Sequence, residues 1–369
     1  MTGVRAFRAP WALAGVTLAM AVGFLLAAGC SDDVTDPTYP PEPSPPVGTW
    51  FLGIWGSGED DIFIVGQPGL IYHWNGDAWT KEQSGTAVAL TDVWGDESGI
   101  VYAVGHRGVI LRRGAGGWSA MNSGTDKNLY SVGSFQNRII ACGHDGIMRE
   151  LVGSSWVGVP GVAFIRNELS GVPEDTLLVS EDIPLLTAVA HHGVAGSSGS
   201  ILMSDPQADW LLRRVAGGRD LVTCATTHPQ RLSGNFVATD GGRLFQLIMT
   251  LDNRLTWDTR QLIVRNAIVY GIYADNGDRV WAVTNDGRIF KIDPDGSDPQ
   301  LLYVDELILF DIWGTSGDNL YAVGIDGRVL HYHDIGEGEF AWEPQDLPQL
   351  PETKSRAVEI FDKFGRPVR

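Results

Sequence analysis

Apolar residues along this chain fall in short runs separated by Gly, Asp, Asn and Ser, and the runs come in a recurring order. Leu52-Gly53-Ile54-Trp55-Gly56 has counterparts in Leu90-Thr91-Asp92-Val93-Trp94-Gly95 and Phe310-Asp311-Ile312-Trp313-Gly314. Each is followed by an acidic turn and a second run: Ile62-Phe63-Ile64-Val65-Gly66, Val101-Tyr102-Ala103-Val104-Gly105 and Leu320-Tyr321-Ala322-Val323-Gly324. A glycine then opens a third run, as in Gly108-Val109-Ile110-Leu111 and Gly327-Arg328-Val329-Leu330, and a polar hairpin leads to a Trp. Runs this short, rich in β-branched and aromatic residues and bounded by turn formers, predict strands. The second run is apolar at both parities, whereas a sheet with one wet face would alternate. It therefore predicts a sheet covered on both sides. No helical period is sustained beyond residue 30.

The opening glycines are Gly69, Gly108, Gly146, Gly199, Gly242, Gly287 and Gly327, spaced 39, 38, 53, 43, 45 and 40 apart. The hairpin Trp follows at Trp79, Trp118, Trp156, Trp210, Trp257 and Trp342, and is missing only in the sixth unit. A repeat of about forty residues offering four strands matches the blade of a β-propeller, in which radial packing gives every sheet two neighbours. Tandem sandwiches would need about a hundred residues each. The expectation is all-β: a single seven-bladed β-propeller of four-stranded blades over residues 48–350, with eight blades as the alternative. The long gap between Gly146 and Gly199 holds an insertion around Asn167–Pro184, where Leu169-Ser170-Gly171-Val172 mimics a repeat start. Tight turns need φ > 0, which explains the opening glycines.

The two ends of the chain follow other rules. Arg5 and Arg8, an uncharged apolar stretch from Trp11 to Ala28, and small residues before Cys30 make residues 1–29 a secretory leader. Leu26-Ala27-Ala28-Gly29-Cys30 resembles the bacterial lipobox. That resemblance implies acylation of Cys30 and, with Ser31 following it, an outer-membrane destination in the cell envelope. Prolines at 37, 40, 41, 43, 45 and 46 give residues 30–47 the character of an extended tether. Residues 351–369, with Ala357-Val358-Glu359-Ile360-Phe361, read as a C-terminal strand and tail. The formal charge is −18; without the leader 25 basic groups face 45 acidic ones, a balance of −20 that disfavours nucleic acid. Cys142 occupies the place of Val65, Val104 and Val323 and reads as a small buried residue. Cys224 lies two units away, too far for a bridge.

The unit Leu-x-x-Val-Trp-Gly … Val-Tyr-Ala-Val-Gly-x-x-Gly-x-Ile … Trp … Ser-Gly-Thr resembles the repeats of secreted bacterial propeller lipoproteins. More distantly it is similar to the photosystem II stability-factor propellers and to Asp-box proteins. The Asp-box itself is absent: the hairpins read Asn75-Gly76-Asp77-Ala78-Trp79, Gly114-Ala115-Gly116-Gly117-Trp118 and Ser154-Ser155-Trp156. Sialidase-type activity loses support accordingly, and a propeller by itself names no function.

Candidate chemistry divides between two rims. First-to-second turns carry Glu59, Asp60, Asp61, Asp96, Glu97, Asp175, Asp275, Asp278 and Asp318, with hairpin acids Asp77, Asp209, Asp295 and Glu337; these read as solvated acidic turns. The opposite rim is mixed, and His106, Arg107, His144 and Asp145 on adjacent blades are the candidate binding residues. His73, His331 and His333 lack a third partner for metal, and His191-His192 point to opposite faces of a strand. No nucleophile triad, phosphate loop or zinc motif is present, and no cofactor or metal is expected. The reading is a non-catalytic, monomeric binding or scaffold propeller, held to the membrane through Cys30 and contacting an envelope protein or glycan. The alternative is a glycosidase or lyase with paired carboxylates at the channel mouth.

Overall fold

The computed structural model describes residues 48–350, apart from 97, 160–162, 166–176, 179–185, 191–192, 197–199, 204–209, 215–220, 227–234, 250–254 and 266. The leader, tether and C-terminal tail, with Cys30, lie outside the described residues, as do Gly199, Glu97, Asp175, Asp209 and the His191-His192 pair. Strands dominate and no α-helix occurs among the described residues.

Six antiparallel four-stranded blades are present. Blade I holds β1 (Trp50–Gly58), β2 (Asp61–Gln67), β3 (Leu70–Trp74) and β4 (Trp79–Glu82). Blade II holds β5 (Leu90–Gly95), β6 (Val101–Gly105), β7 (Ile110–Gly114) and β8 (Gly117–Met121). Blade III holds β9 (Leu129–Phe135), β10 (Arg138–Gly143), β11 (Met148–Val152) and β12 (Ser155–Gly158). There follow β13 (Ala163–Ile165), β14 (Leu177–Leu178), β15 (Leu186–Ala190), β16 (Gly193–Gly196), β17 (Ser200–Met203) and β18 (Trp210–Arg214). Blade IV holds β19 (Leu221–Thr226), β20 (Asn235–Thr239), β21 (Arg243–Met249) and β22 (Leu255–Leu262). Blade V holds β23 (Val269–Ala274), β24 (Val280–Thr284), β25 (Arg288–Ile292) and β26 (Gln300–Val304). Blade VI holds β27 (Leu309–Ser316), β28 (Asn319–Gly324), β29 (Val329–Gly336) and β30 (Glu339–Pro344).

The expectation of seven four-stranded blades, and its alternative of eight, is corrected here. Six sheets have four strands, and the stretch between blades III and IV forms a six-stranded sheet ordered β14-β13-β18-β17-β16-β15. The reason is a strand that the repeat does not contain. β13 pairs in parallel with β18, Ala163 to Trp210 through Ile165 to Leu212, and β14 pairs antiparallel with β13 beyond it. What read as an insertion thus extends the edge of a sheet. A three-residue apolar stretch carries no period by which to foresee that.

Second strands β6, β20 and β24 are buried along their whole length. Their two parities serve two neighbours. Val101 and Ala103 of β6 pack with Phe63, Val65 and Ile71 of blade I, whereas Tyr102 and Val104 pack with Leu129, Val132 and Trp156 of blade III. At three seams the hairpin Trp stands edge-on to an aromatic of the preceding blade's second strand. Trp118 meets Phe63 at 6.1 Å, Trp156 meets Tyr102 at 6.0 Å, and Trp79 of blade I meets Tyr321 of blade VI at 6.3 Å. That last contact, the cluster of Phe51, Ile54, Ile64, Tyr321 and Val323, and a bridge from Trp50 to Ile325 close the ring.

The Trp-Gly pair has its own cause. A methyl group at Gly95 would lie 2.6 Å from Cζ3 and 2.8 Å from Cζ2 of Trp55, and one at Gly56 would lie 2.6 Å from Cη2 of Trp313. Trp55 and Trp313 therefore each lie over the glycine of the next blade. The opening glycines behave as expected: Gly108 has φ 67°, and a Cβ there would also run into the Thr125 carbonyl of the crossing. Glycines 69, 146, 242, 287 and 327 share the left-handed φ. The Ser-Gly-Thr of the crossing is a turn device, since Ser84 Oγ donates to Gly69 O at 2.6 Å and Val88 N–H donates to Thr86 Oγ1 at 3.1 Å. Cys142 is buried, Cys224 is half-buried, and neither is in a disulfide.

Candidate functional site

The first strand of every blade slips register near its start, and so does β15. The residues passed over are Leu52, Thr91, Tyr130, Thr187, Val222, Tyr270 and Phe310. A bulge turns the extra side chain away from the sheet's two faces, and on an innermost strand that direction is the axis. Leu52, Tyr130, Val222, Tyr270 and Phe310 meet Trp50, Ala89 and Ile325 in one buried cluster drawn from blades I, III, IV, V and VI and the crossing before blade II. Phe310 lies 5.8 Å from Trp50 and 5.3 Å from Tyr270, ring to ring. Only the axis is within reach of all these strands, so the axis is plugged. Thr91, a polar member of the set, donates its hydroxyl to Leu129 O at 2.7 Å.

The plug sits toward the starts of the first strands. Toward their ends the axis opens into a cavity of about 770 Å³ that reaches the first-to-second turns at Asp96, Ser98 and Asn137. Its wall is lopsided. Trp55, Trp94, Tyr273 and Trp313 line one arc, from blades I, II, V and VI. The corresponding place on blade III is Gly133 and on blade IV Ala225, and with Ala188, Thr223 and Cys224 these form the opposite arc. The volume exists because that arc lacks large rings.

Three carboxylates border the cavity, and two of them, Asp92 and Asp311, are engaged by backbone of the next blade. Asp92 Oδ2 accepts from Val132 N–H at 3.0 Å and from Ser131 Oγ–H at 2.7 Å, while its Oδ1 accepts from Val93 N–H at 2.8 Å. Ser131 Oγ in turn accepts from Val189 N–H at 3.2 Å. Asp311 accepts from Ile54 N–H at 3.0 Å and Ile312 N–H at 2.9 Å. One repeat position thus ties a blade to the next, from II to III to the six-stranded sheet and from VI to I. Where that position is Gly53, a Cβ would crowd Asp92 Cα at 2.9 Å. Asp92 and Asp311 serve the ring.

The acidic turns around the mouth form local structure. Asp96 Oδ1 accepts from Ser98 N–H at 2.9 Å and Ile100 N–H at 3.0 Å, and Asp275 accepts from Gly277 N–H, Arg279 N–H and Arg279 Nε–H. These are side-chain turns of the Asx kind. No group of three or more His, Cys, Asp or Glu side chains is placed to hold a metal among the described residues.

The residues singled out in advance lie at the other end of the strands. Arg107 and Asp145 sit in left-handed turn positions, φ 54° and 55°. Asn128 joins the two turns, its Oδ1 accepting from Arg107 N–H and its carbonyl from His144 N–H, both at 2.9 Å. Lys127 pairs with Asp145 at 2.6 Å and His144 Nδ1 lies 2.9 Å from Asp145. Burial opposes ionisation of Asp145, but the bond from Lys127 and the nearby His144 outweigh it and lower its pKa. His106, Arg107, His144 and Asp145 are thus brought together on the rim where the axis is filled, while the cavity opens on the opposite one. His331 stacks on Tyr321 at 4.0 Å and on His333 at 4.4 Å, and burial with His333 depresses its pKa to about 4. Asn319 and Glu343 hold the two rings, at 2.8 and 3.1 Å.

Trp55, Trp94, Tyr273 and Trp313 served as repeat markers and not as candidate wall. One signal was available: the place that holds Trp or Tyr in four units holds Gly133 and Ala225 in others.

The sequence matches no family model and no curated protein sequence. Solved structures do match. YCF48 from Cyanidioschyzon merolae is similar over 78% of this chain and 96% of its own, with 16% identity and a TM-score of 0.56. YCF48 bound to D1 peptide covers 78% and 95% at 14% identity and a TM-score of 0.56. The WD40 β-propeller domain of Doa1 covers 79% and 95% at 11% identity and a TM-score of 0.59. This chain has a β-propeller fold. Identities so low speak to nothing finer.

Proposed function

We propose that this chain is a non-catalytic binding propeller of the bacterial cell envelope that seats a segment of a partner protein in its axial cavity. The observation carrying this reading is the cavity itself, with half-buried rings on one arc and small residues on the other. Binding sites are concave and apolar with a few placed polar groups, and occupy about 300–1,000 Å³. The existence of a similar propeller bound to D1 peptide supports a protein segment as the occupant. The lipobox-like sequence before Cys30 and the proline-rich stretch after it support a lipid tether holding the domain off an outer membrane. Two or more acyl chains anchor stably where one does not.

Ala225→Phe fills the small arc, and Trp94→Ala removes a ring from the other. Each is expected to lower the yield of cross-linked partner protein at least tenfold in cells carrying the full chain. Arg107→Ala, on the opposite rim, is expected to leave it unchanged. A yield indifferent to both cavity variants and lost with Arg107→Ala overturns the assignment. For the tether, radiolabelled palmitate is expected on the full chain and not on Cys30→Ser; a wild-type chain without label refutes it.

A further inference from the structure

We infer, resting on the reading of the cavity as a binding site, that its ligand is a positively charged side chain, Lys or Arg, projecting from an extended segment of the partner protein. Among the described residues the wall holds three aspartates, Asp92, Asp96 and Asp311, and no Lys, Arg or His. Around them stand the rings of Trp55, Trp94, Tyr273 and Trp313. The face of an aromatic ring carries a negative quadrupole and attracts a cation lying over it, Trp most strongly. Desolvation inside a cavity strengthens that attraction and also the pull of a carboxylate. The protein already uses the same chemistry within itself: the Arg113 guanidinium lies 4.9 Å above the Phe63 ring and that of Arg279 lies 5.4 Å above Trp281.

An anionic or wholly apolar ligand fits the same wall poorly. It would bring a like charge, or no charge, against the aspartates, and like charges juxtaposed at an interface cost affinity. The arc of Gly133, Ala188 and Ala225 supplies the room for a long side chain to enter beside the rings. Outside the mouth the first-to-second turns add Glu59, Asp60, Asp278 and Asp318. Among the described residues of these turns, Arg279 is held by Asp275 at 2.5 Å. The formal charge of −18 extends this field into solution and favours encounter with a basic segment.

The test uses the full chain and two blocked peptides, acetyl-Arg-Gly-Arg-Gly-Arg-amide and its citrulline counterpart, which keeps shape and removes charge. Saturable binding of the Arg peptide is expected, at least tenfold tighter than that of the citrulline peptide and weakening as salt rises. Asp96→Asn preserves the side-chain turn and is expected to weaken the Arg peptide severalfold; Ala225→Phe is expected to abolish its binding. Equal binding of the two peptides overturns the inference. Silence from both, with partner capture still lost in Ala225→Phe, refutes the cation and leaves the cavity reading standing. Capture indifferent to Ala225→Phe removes both. An N-acetylglucosamine tetramer that binds wild type and not Ala225→Phe, while the peptides are silent, puts a glycan in the cavity and also overturns it.

Discussion

Gly95→Ala probes the seam between blades I and II through a single methyl group. Gly95 does not have a left-handed φ, so alanine meets no backbone strain there. The methyl would instead sit 2.6 and 2.8 Å from two ring carbons of Trp55, with a third carbon closer still, so the indole must lift. Overpacking of this kind costs ~1–3 kcal/mol. Trp55 borders the cavity and can yield toward it, which puts the expected loss at the lower end, about 1–2 kcal/mol. Trp55→Ala alone removes a half-buried ring and is expected to cost about 2–3 kcal/mol, less than the ~3–5 kcal/mol of a fully buried one. The decisive value is the double variant. With the ring gone, Gly95→Ala has nothing to strike and lowers the entropy of the unfolded chain, so it becomes neutral or slightly stabilising, by up to ~0.5 kcal/mol. The coupling energy is then about 1–2 kcal/mol. Urea midpoints of the four proteins, compared at constant m, measure it. An equal cost of Gly95→Ala with and without Trp55 refutes the explanation of the Trp-Gly pair.

Other consequences follow from the same geometry. Glu82 accepts from Arg113 at 2.7 Å and from Trp118 Nε1–H at 2.6 Å and lies against His73. Burial would raise its pKa, but these bonds lower it to about 2. A depressed carboxylate contributes stability that is present above about 4.5 and lost as the pH falls toward 2; urea midpoints of Glu82→Gln are expected to be flatter over that range than those of wild type. His73 is the mirror case: burial lowers its pKa, yet Glu82 and Asp61 raise it overall. Its contribution is full below about 6.5 and fades as pH rises through the folded value, and proton NMR of the imidazole in wild type and Glu82→Gln reports the shift. Gly108→Ala combines φ 67° with a clash against Thr125 and is expected to destabilise by at least ~2 kcal/mol, whereas Gly116→Ala, with open space around it, leaves thermal unfolding unmoved. Asp311→Ala strips Ile54 N–H of its partner at the closing seam and is expected to cost ~1–3 kcal/mol by urea unfolding, with Asn recovering part of it.

The strands and their repeat were legible because each unit writes the same three constraints. Val101 to Val104 show a sheet buried on both faces, Gly108 a left-handed turn, and Trp118 a ring that needs a neighbour's aromatic. The six-stranded sheet was not legible, since Ala163–Ile165 is too short for a period and its partner β18 is 47 residues away, from Ala163 to Trp210. The bulges were also hidden: Tyr130 and Phe310 read as ordinary members of apolar strands, and only register shows them turned to the axis. The filled rim is the one that carries His106 and His144. His106 and His144 attracted notice as polar residues in a turn, while Trp94 and Trp313, whose exposed faces form the cavity wall, looked like packing.

A photo-reactive amino acid placed at Ser98, on the cavity rim, or at Arg107, on the plugged rim, tests the central claim most directly. The account predicts a discrete adduct with the partner protein in cells from position 98 and none from position 107. An adduct from 107 alone contradicts it and moves the working face to the other end of the strands.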